Sequence, residues 1–181
     1  MDITDSTALA DLVREAQRGR DTAQRELIGR YQQRMAGFAY AITGRSDSVE
    51  DLTQIIFIKM FRSLGRLDDP ERFEAWLFRL ARNSCIDHLR REKWRRFFTP
   101  IETEHEETIA ETNVPVDSAE LDALRHALQQ LKPKDRVLIA LAQEGRSQTE
   151  MAAITHTTVS AIKARLHRDR EQLRAIYEHD T

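Results

Sequence analysis

The chain has 181 residues, 40% of them apolar and 32% charged, which suits a globular protein of one large or two small domains and excludes fibrous and low-complexity classes. Cys85 stands alone, so no intramolecular disulfide can form and a cytoplasmic setting is expected. The net charge of −2 is unevenly spread: 18 basic against 15 acidic residues give +3 over 1–98, seven acidic and no basic residues give −7 over 99–120, and ten against eight give +2 over 121–181. The N-terminal MDITDSTALADLVREAQRGR lacks the apolar stretch of a signal peptide. The longest apolar run, Ile55 to Ile58, is far too short to cross a bilayer, so no membrane span is expected.

Taken in chain order, nearly every segment carries helical periodicity and none sustains the alternation of a strand, so an all-α fold is expected. The first helix runs from Ser6 to Arg18 and stops at Gly19. The second runs from Asp21 to Thr43 and is ended by Gly44. A third opens on an acidic cap, Asp47 with Glu50 and Asp51, whose charge suits the positive end of the helix dipole, and it ends at Leu64 before Gly65. Asp68-Asp69-Pro70 makes a turn, with Pro70 suited to a first helical position. A long fourth helix carries ERFEAWLFRLARNSCIDHLRREKWRR without a breaker.

From Thr99 to Val116 the periodicity disappears. Acids, threonines and two prolines cannot bury enough apolar surface to offset ordering, so a flexible acidic linker is expected over 99–116. Helix resumes at a capping box, Asp117-Ser118-Ala119-Glu120, followed by Leu121, Leu124, Leu128 and Leu131. Lys132-Pro133 breaks that helix, and the next, with Val137, Leu138 and Leu141 inward, ends at Gly145.

Ser147 and Glu150 form an S-x-x-E box opening a short helix whose inward residues are Met151 and Ile154. Thr155-His156-Thr157 makes a turn, Thr158 caps the last helix, and Val159, Ile162, Leu166 and Leu173 form that helix's inward stripe. Lys163 and His167 fall on the opposite face beside Ser160 and Ala164, flanked by Arg165 and Arg168. This is the layout of a helix-turn-helix with a basic, hydrogen-bonding recognition face. Such a unit also occurs as a plain packing motif with solvated charge, so the pattern alone leaves both readings open.

Read with its upstream helix, the segment LKPKDRVLIALAQEGRSQTEMAAITHTTVSAIKARLHRDREQLR resembles region 4 of bacterial sigma factors. The matching positions include Leu131, Pro133, Arg136, Val137, Gly145, Ser147, Glu150, Lys163, Arg165, Leu166, Arg168 and Arg170. The turn departs from the pattern, which usually has Leu-Gly-Ile where Thr155-His156-Thr157 stand. Glycine reaches positive φ cheaply and histidine less so, and a softer turn is expected. SDSVEDLTQIIFIKMFRSL resembles region 2.2, and FEAWLFRLARNSCIDHLRREKWRR resembles regions 2.3 to 2.4 through Phe73, Trp76, Leu77, Ala81, Asn83, Asp87, Arg90 and Arg91. Region 2 followed by region 4 with only a short linker is the layout of extracytoplasmic-function sigma factors.

The resemblance implies two small helical domains, 1–98 and 117–181, around the linker, and a chain that binds core RNA polymerase and directs initiation at promoters. Docking on the β′ clamp helices falls to Asp47, Glu50, Asp51, Gln54 and Ile55, with Ile55 standing where the family usually has Glu. That residue either makes the docking face more apolar or turns into the core. Recognition and melting of the −10 element fall to Arg66 and Asp68 in the loop before the fourth helix and to Arg79, Arg82, Asn83, Asp87, Arg90 and Arg91 on it. The −35 element falls to Thr158, Ser160, Lys163, Ala164, Arg165, His167 and Arg168. Further implied partners are the β flap and an anti-sigma factor, with the free chain a monomer.

The residues agree chemically. Phe73, Leu77, Leu80 and Ile86 suit the packed face of the fourth helix, with Arg79, Arg82, Arg90, Arg91, Lys93, Arg95 and Arg96 outward for phosphates. Trp76 reads as core. Trp94, Phe97 and Phe98 suit either stacking on DNA or packing at a helix end. No glycine-rich phosphate loop or nucleophile–base arrangement points to an enzyme. Cys85 and His88 share a helix face, but two ligands make no metal site, and no cofactor or metal is implied. A sigma-like decoy that sequesters an anti-sigma factor is the alternative; the basic DNA-facing surfaces argue against it.

Overall fold

Regular spacing of apolar residues builds each helix against its neighbours in the computed structural model, which describes residues 3–98 and 126–179. No strand occurs among the described residues. The first helix, α1 (Ile3–Gln17), turns Leu9, Val13 and Ala16 inward. The second, α2 (Asp21–Thr43), buries Ala23, Leu27, Tyr31, Met35, Phe38 and Ile42 at spacings of three and four, one stripe of a 3.6-residue period. It packs on α1, on α3 (Val49–Leu64) and on α4 (Phe73–Phe98). Phe38 meets Phe78 edge-to-face with ring centroids 5.2 Å apart. Each such fully buried side chain contributes about 1.5–3 kcal/mol of transfer free energy.

The helix ends follow local chemistry. Gly44 ends α2 at φ 71°, and its N–H donates to the Tyr40 carbonyl at 2.8 Å. The N-cap of α3 is Ser48 rather than Asp47, and the Ser48 side chain makes no capping bond. Asp47 instead pairs with Arg45 at 2.6 Å, and this partner holds its carboxyl below the usual range despite partial burial. Pro70 starts a single 3-10 turn, Pro70–Arg72, capped by the Asp69 carboxylate accepting from the Glu71 N–H at 3.1 Å. Trp76 leans on the core against Phe73, and Phe73, Leu77, Phe78, Ala81 and Cys85 are fully buried. Leu80 and Ile86 are half-buried against the same cluster. Burial also pushes the Cys85 thiol up to about 12, which leaves it an inert core residue.

The C-terminal half begins, among the described residues, with α5 (126–130), then α6 (Pro133–Gln143, with Pro133 in its first turn), α7 (Gln148–Thr155) and α8 (Val159–His179). The acidic linker 99–116, the capping box 117–120 and the leucines at 121 and 124 lie outside the described residues. Val137, Leu138, Leu141, Met151, Ile154, Ile162 and Leu166 bury the interior of this half.

The two halves are not separate. One apolar cluster runs through both, because α6 packs on α2 and α4, and α7 packs on α4. At the seam sits a carboxylate, Glu74, whose side chain is only 9% exposed. It accepts from the Tyr31 hydroxyl at 2.8 Å, from Arg34 Nη1 at 2.8 Å and from Arg146 Nη2. Arg34 also binds Glu144 at 2.9 Å, and Arg146 binds Glu150 at 3.0 Å. Both guanidinium groups lie over the Phe78 ring, at 5.4 and 5.2 Å. Beside the cluster, Gln129 donates to the Gly44 carbonyl at 3.0 Å. A methyl group added at Gly44 would meet Gln129 and Arg136 at 3.0–3.2 Å, so glycine serves both the turn and the docking.

Burial alone would raise the Glu74 carboxyl, but the hydrogen bonds and charges of Arg34, Tyr31 and Arg146 outweigh it and hold it below its ordinary value. A carboxyl lowered on folding stabilises the packed state above its unfolded value, about 4.3, and that stabilisation is lost as pH falls through the lower folded value. Removing one member of a buried pair leaves the other charge uncompensated, a loss of about 3–5 kcal/mol. Arg146→Ala is therefore expected to cost about 3–5 kcal/mol in urea unfolding at pH 7, and the cycle with Glu74→Ala should show coupling of about 1–3 kcal/mol. Additive losses within about 0.5 kcal/mol would show that the two side chains do not act together.

Candidate nucleic-acid interface

Helix α8 is set by its partners before any ligand arrives. Ser147 opens α7 with a complete capping box: its hydroxyl accepts from the Glu150 N–H at 3.2 Å, and the Glu150 carboxylate accepts from the Ser147 N–H at 2.9 Å. The Glu150 carboxyl is burdened by burial, yet these bonds and Arg146 hold it below its ordinary value. The turn places His156 at φ 54° and ψ 51°, the left-handed region, as the C-cap of α7. Thr155 bonds back to the Met151 carbonyl at 2.7 Å and the Thr157 N–H to that of Ala152 at 3.0 Å. The turn is therefore well bonded in spite of lacking glycine. Thr158 caps α8, its hydroxyl accepting from the Ala161 N–H at 3.2 Å.

Ile162 and Leu166 then anchor α8 on the core, Leu173 is half-buried, and Val159 is exposed instead of inward. On the outer face Ser160, Lys163, Ala164, His167 and Arg168 are exposed together. Arg165 is placed differently: half-buried, it chelates Asp135 of α6 through Nε and Nη2, so its guanidinium ties α8 to α6. Asp169 is buried behind this pair, and burial together with the Asp135 charge raises its carboxyl. Periodicity gave no sign of that pairing, which depends on the packing of α6 against α8.

On the N-terminal half, α4 carries a second polar surface. Asn83, Arg90 and Arg91 are exposed, while Arg79, Arg82 and Asp87 are half-buried. Some of these are already engaged with one another. Arg82 donates to the Asn83 side-chain oxygen at 2.8 Å, and Arg90 pairs with Asp87 at 3.1 Å. Burial lowers the Arg82 guanidinium without removing its charge. Arg66 and Asp68 are exposed in the preceding loop, which α1 props from behind: the Gln17 amide donates to the Leu64 and Leu67 carbonyls at 3.0 and 2.8 Å.

The third surface lies on α3. Asp47, Glu50, Asp51 and Gln54 are exposed, and Ile55 at 37% faces outward beside Ile58 at 49%. Ile55 is thus turned away from the core. Ile58 was missed in the sequence, although it follows Gln54 by one turn and shares its face. Thr53, on the flank, bonds back to the Val49 carbonyl at 2.7 Å.

Both halves of the chain match known family models. A model described as Sigma-70 region 2 matches residues 27–95, and one described as Sigma-70, region 4 matches residues 121–173. The RNA polymerase sigma factor CarQ of Myxococcus xanthus is 32% identical over 167 residues, 88% of this chain and 94% of CarQ. The chain belongs to the sigma-70 family, extracytoplasmic-function branch.

The ECF sigma factor SigE of Mycolicibacterium smegmatis is 33% identical over 154 residues, 82% of this chain, which spans 59% of SigE's length. A solved structure of CnrH in complex with the cytosolic domain of CnrY superposes with a TM-score of 0.73 at 27% identity, covering 96% of this sigma factor and 99% of CnrH. Among the described residues of the sigma factor no helix is long and apolar enough to cross a membrane, and no group of three or more metal-ligating side chains forms.

The left-handed residue of the turn offers a direct test of how this sigma factor builds its helix-turn-helix. A left-handed non-glycine residue costs about 1–2 kcal/mol, part of which glycine returns as unfolded-state entropy. His156→Gly is therefore expected to raise stability by about 0.5–1 kcal/mol in thermal unfolding and to leave DNA affinity unchanged. A loss of stability would mean that the exposed imidazole makes a contact the turn needs.

Proposed function

We propose that this sigma factor docks on the β′ clamp helices of core RNA polymerase through the outer face of α3, melts and reads the −10 element with α4 and its preceding loop, and reads the −35 element with α8. The single observation that carries the reading is the simultaneous exposure, on three separate helices, of an acidic-apolar face and two basic, hydrogen-bonding faces. On α3, Asp51 and Glu50 supply charge and Ile55 with Ile58 the apolar contact. On α8, Lys163 suits guanine O6 and N7, His167 donates to N7, and Ala164 leaves room for a small apolar contact. Arg168 grips a phosphate, which positions the helix without reading sequence. Arg165, held by Asp135, acts chiefly as a strut. The chain itself supplies no chemistry; the polymerase does. Its setting is the cytoplasm, a monomer when free, with the β flap near the C-terminal unit. The unit boundaries are 1–98 and 117–181, and an anti-sigma factor is a further partner; the similar CnrH is itself solved in complex with another protein, the cytosolic domain of CnrY.

The packed seam has a consequence for this reading. Elements named for positions about 25 base pairs apart are separated by roughly 80 Å of straight duplex. A compact chain of 181 residues has a radius of gyration of about 16 Å, or roughly 40 Å across. The packed state therefore cannot hold both elements at once, and the halves separate on the promoter. The 18 residues of the linker, 99–116, are long enough to allow it, with an extended reach of about 60 Å to which the widths of the two units add.

Run-off transcription with core polymerase, followed by 5′-end mapping, tests the assignment. The wild-type chain should give discrete products, and Asp51→Arg should abolish both these and the complex with core enzyme. Lys163→Ala should cost about 1–3 kcal/mol at one −35 base pair and relax preference there, whereas Arg168→Ala should weaken all sequences alike and lower the salt slope by about one unit. Undiminished polymerase binding by Asp51→Arg would remove α3 from the docking role.

A further inference from the structure

The loop between α3 and α4, residues 65–69, is tied through its backbone and free in its outward side chains. Gln17, the last residue of α1, reaches it from 47 and 50 positions away in sequence. Its amide nitrogen carries two hydrogens and makes two bonds, to the Leu64 carbonyl at 3.0 Å and the Leu67 carbonyl at 2.8 Å. Those carbonyls belong to the two ends of one turn, closed within by the Leu67 N–H donating to the Leu64 carbonyl at 3.1 Å. The amide therefore bridges the turn. Leu64 is buried and Leu67 leans on the core cluster, so both ends of the bridge are also anchored by their side chains. At the far end of the loop the Asp69 carboxylate accepts from the Glu71 N–H at 3.1 Å and pairs with Arg72 at 3.2 Å.

The outward residues are in the opposite condition. Arg66 and Asp68 are exposed on either side of Leu67, and among the described residues neither side chain makes a hydrogen bond or ion pair. On α4, by contrast, Arg82 is bonded to Asn83 and Arg90 to Asp87. A surface carbonyl that needs only a partner finds water. One amide reaching from another helix to both carbonyls also fixes their separation. A tied backbone with untied side chains is the arrangement of a preformed recognition loop, whose donors and acceptors stand in place before the ligand arrives.

We propose that Gln17 is a positioning residue for base recognition: by bridging the Leu64 and Leu67 carbonyls it holds residues 65–69 in the conformation that presents Arg66 and Asp68 to the −10 element. This rests on the reading of that loop as part of the −10 surface. It adds a residue of α1, a helix with no DNA-facing part in that reading.

Holoenzyme made from the full chain and core polymerase is titrated with a fluorescein-labelled forked template, single-stranded across the −10 element, and with forks changed at one −10 base at a time. Gln17→Met keeps the reach and helix preference of the side chain and removes both donors. It should weaken the best fork about tenfold, within the roughly 5- to 30-fold that ordering one more backbone residue represents, and reduce discrimination at the base the loop reads. Affinity for core polymerase and for a −35 duplex should stay within about twofold. Gln17→Lys, whose ammonium can donate to the same carbonyls, should recover most of the loss. In amide hydrogen exchange of the free chain, Gln17→Met should speed residues 65–69 at least about fivefold and leave α4 unchanged. A wild-type loop that exchanges at the unstructured rate when free overturns the proposal without any substitution. Faster exchange in Gln17→Met with base discrimination intact also overturns it, because the bridge would then be structural only. If Arg66→Ala and Asp68→Ala leave fork affinity unchanged, the −10 reading of the loop falls and the proposal with it. If they weaken it and Gln17→Met does not, the reading stands and the positioning role alone fails.

Discussion

A buried carboxylate at a seam between two helical units organises this molecule. Glu74 belongs to the N-terminal helix α4, yet one of its three partners, Arg146, comes from the start of the helix-turn-helix. Without that arginine the carboxylate would face desolvation with fewer donors; without the carboxylate, two guanidinium groups would crowd the same ring. The cluster also fixes the capping box of α7, because Arg146 reaches Glu150, the residue that closes the box on Ser147. Packing of the halves and geometry of the DNA-reading unit therefore share one set of ions.

That sharing explains how the recognition face stays exposed in the packed state. Both α6 and α7 use their buried faces against α2 and α4, so α8 is left to pack on its own unit through Ile162 and Leu166. Its outer surface, from Ser160 to Arg168, is consequently free of the seam. The strut from Arg165 to Asp135 then sets the rotation of α8 on α6. What packing restricts is reach, since the polar faces of α4 and α8, the two proposed to meet DNA, are carried on one small body.

Much of this was legible in the sequence because it is local. Gly44 and Gly145 end helices, Ser147 and Glu150 face each other across one turn, and apolar spacings of three and four fix the buried stripes of α2 and α4. The exposed face of α8 followed from the same periodicity, whereas that of α3 was implied by the family resemblance, which left the side of Ile55 open. Pairings between distant segments followed from neither. Nothing local marks Glu74 as buried rather than solvated, and nothing beside Arg146, between Gly145 and Ser147, points to a partner 72 residues away. Arg165 flanks the polar stripe and groups by sequence with the −35 residues, whereas in the fold its guanidinium meets Asp135 of α6. Val159, expected inward from its spacing, is exposed because α8 starts its contact with the core one turn later, at Ile162. Long-range ion pairs and helix starts depend on tertiary packing that no single window contains.

The central claim is that the Glu74 cluster holds the free chain closed and that promoter engagement opens it. Electron–electron distance measurement between spin labels at Arg62→Cys on α3 and Gln172→Cys on α8 tests it directly, the buried Cys85 being left in place. A single short distance is predicted for the free chain, broadened and lengthened in Glu74→Ala, and lengthened by tens of ångströms in the complex with core polymerase and promoter DNA. The same short distance in a transcriptionally active promoter complex would contradict the account.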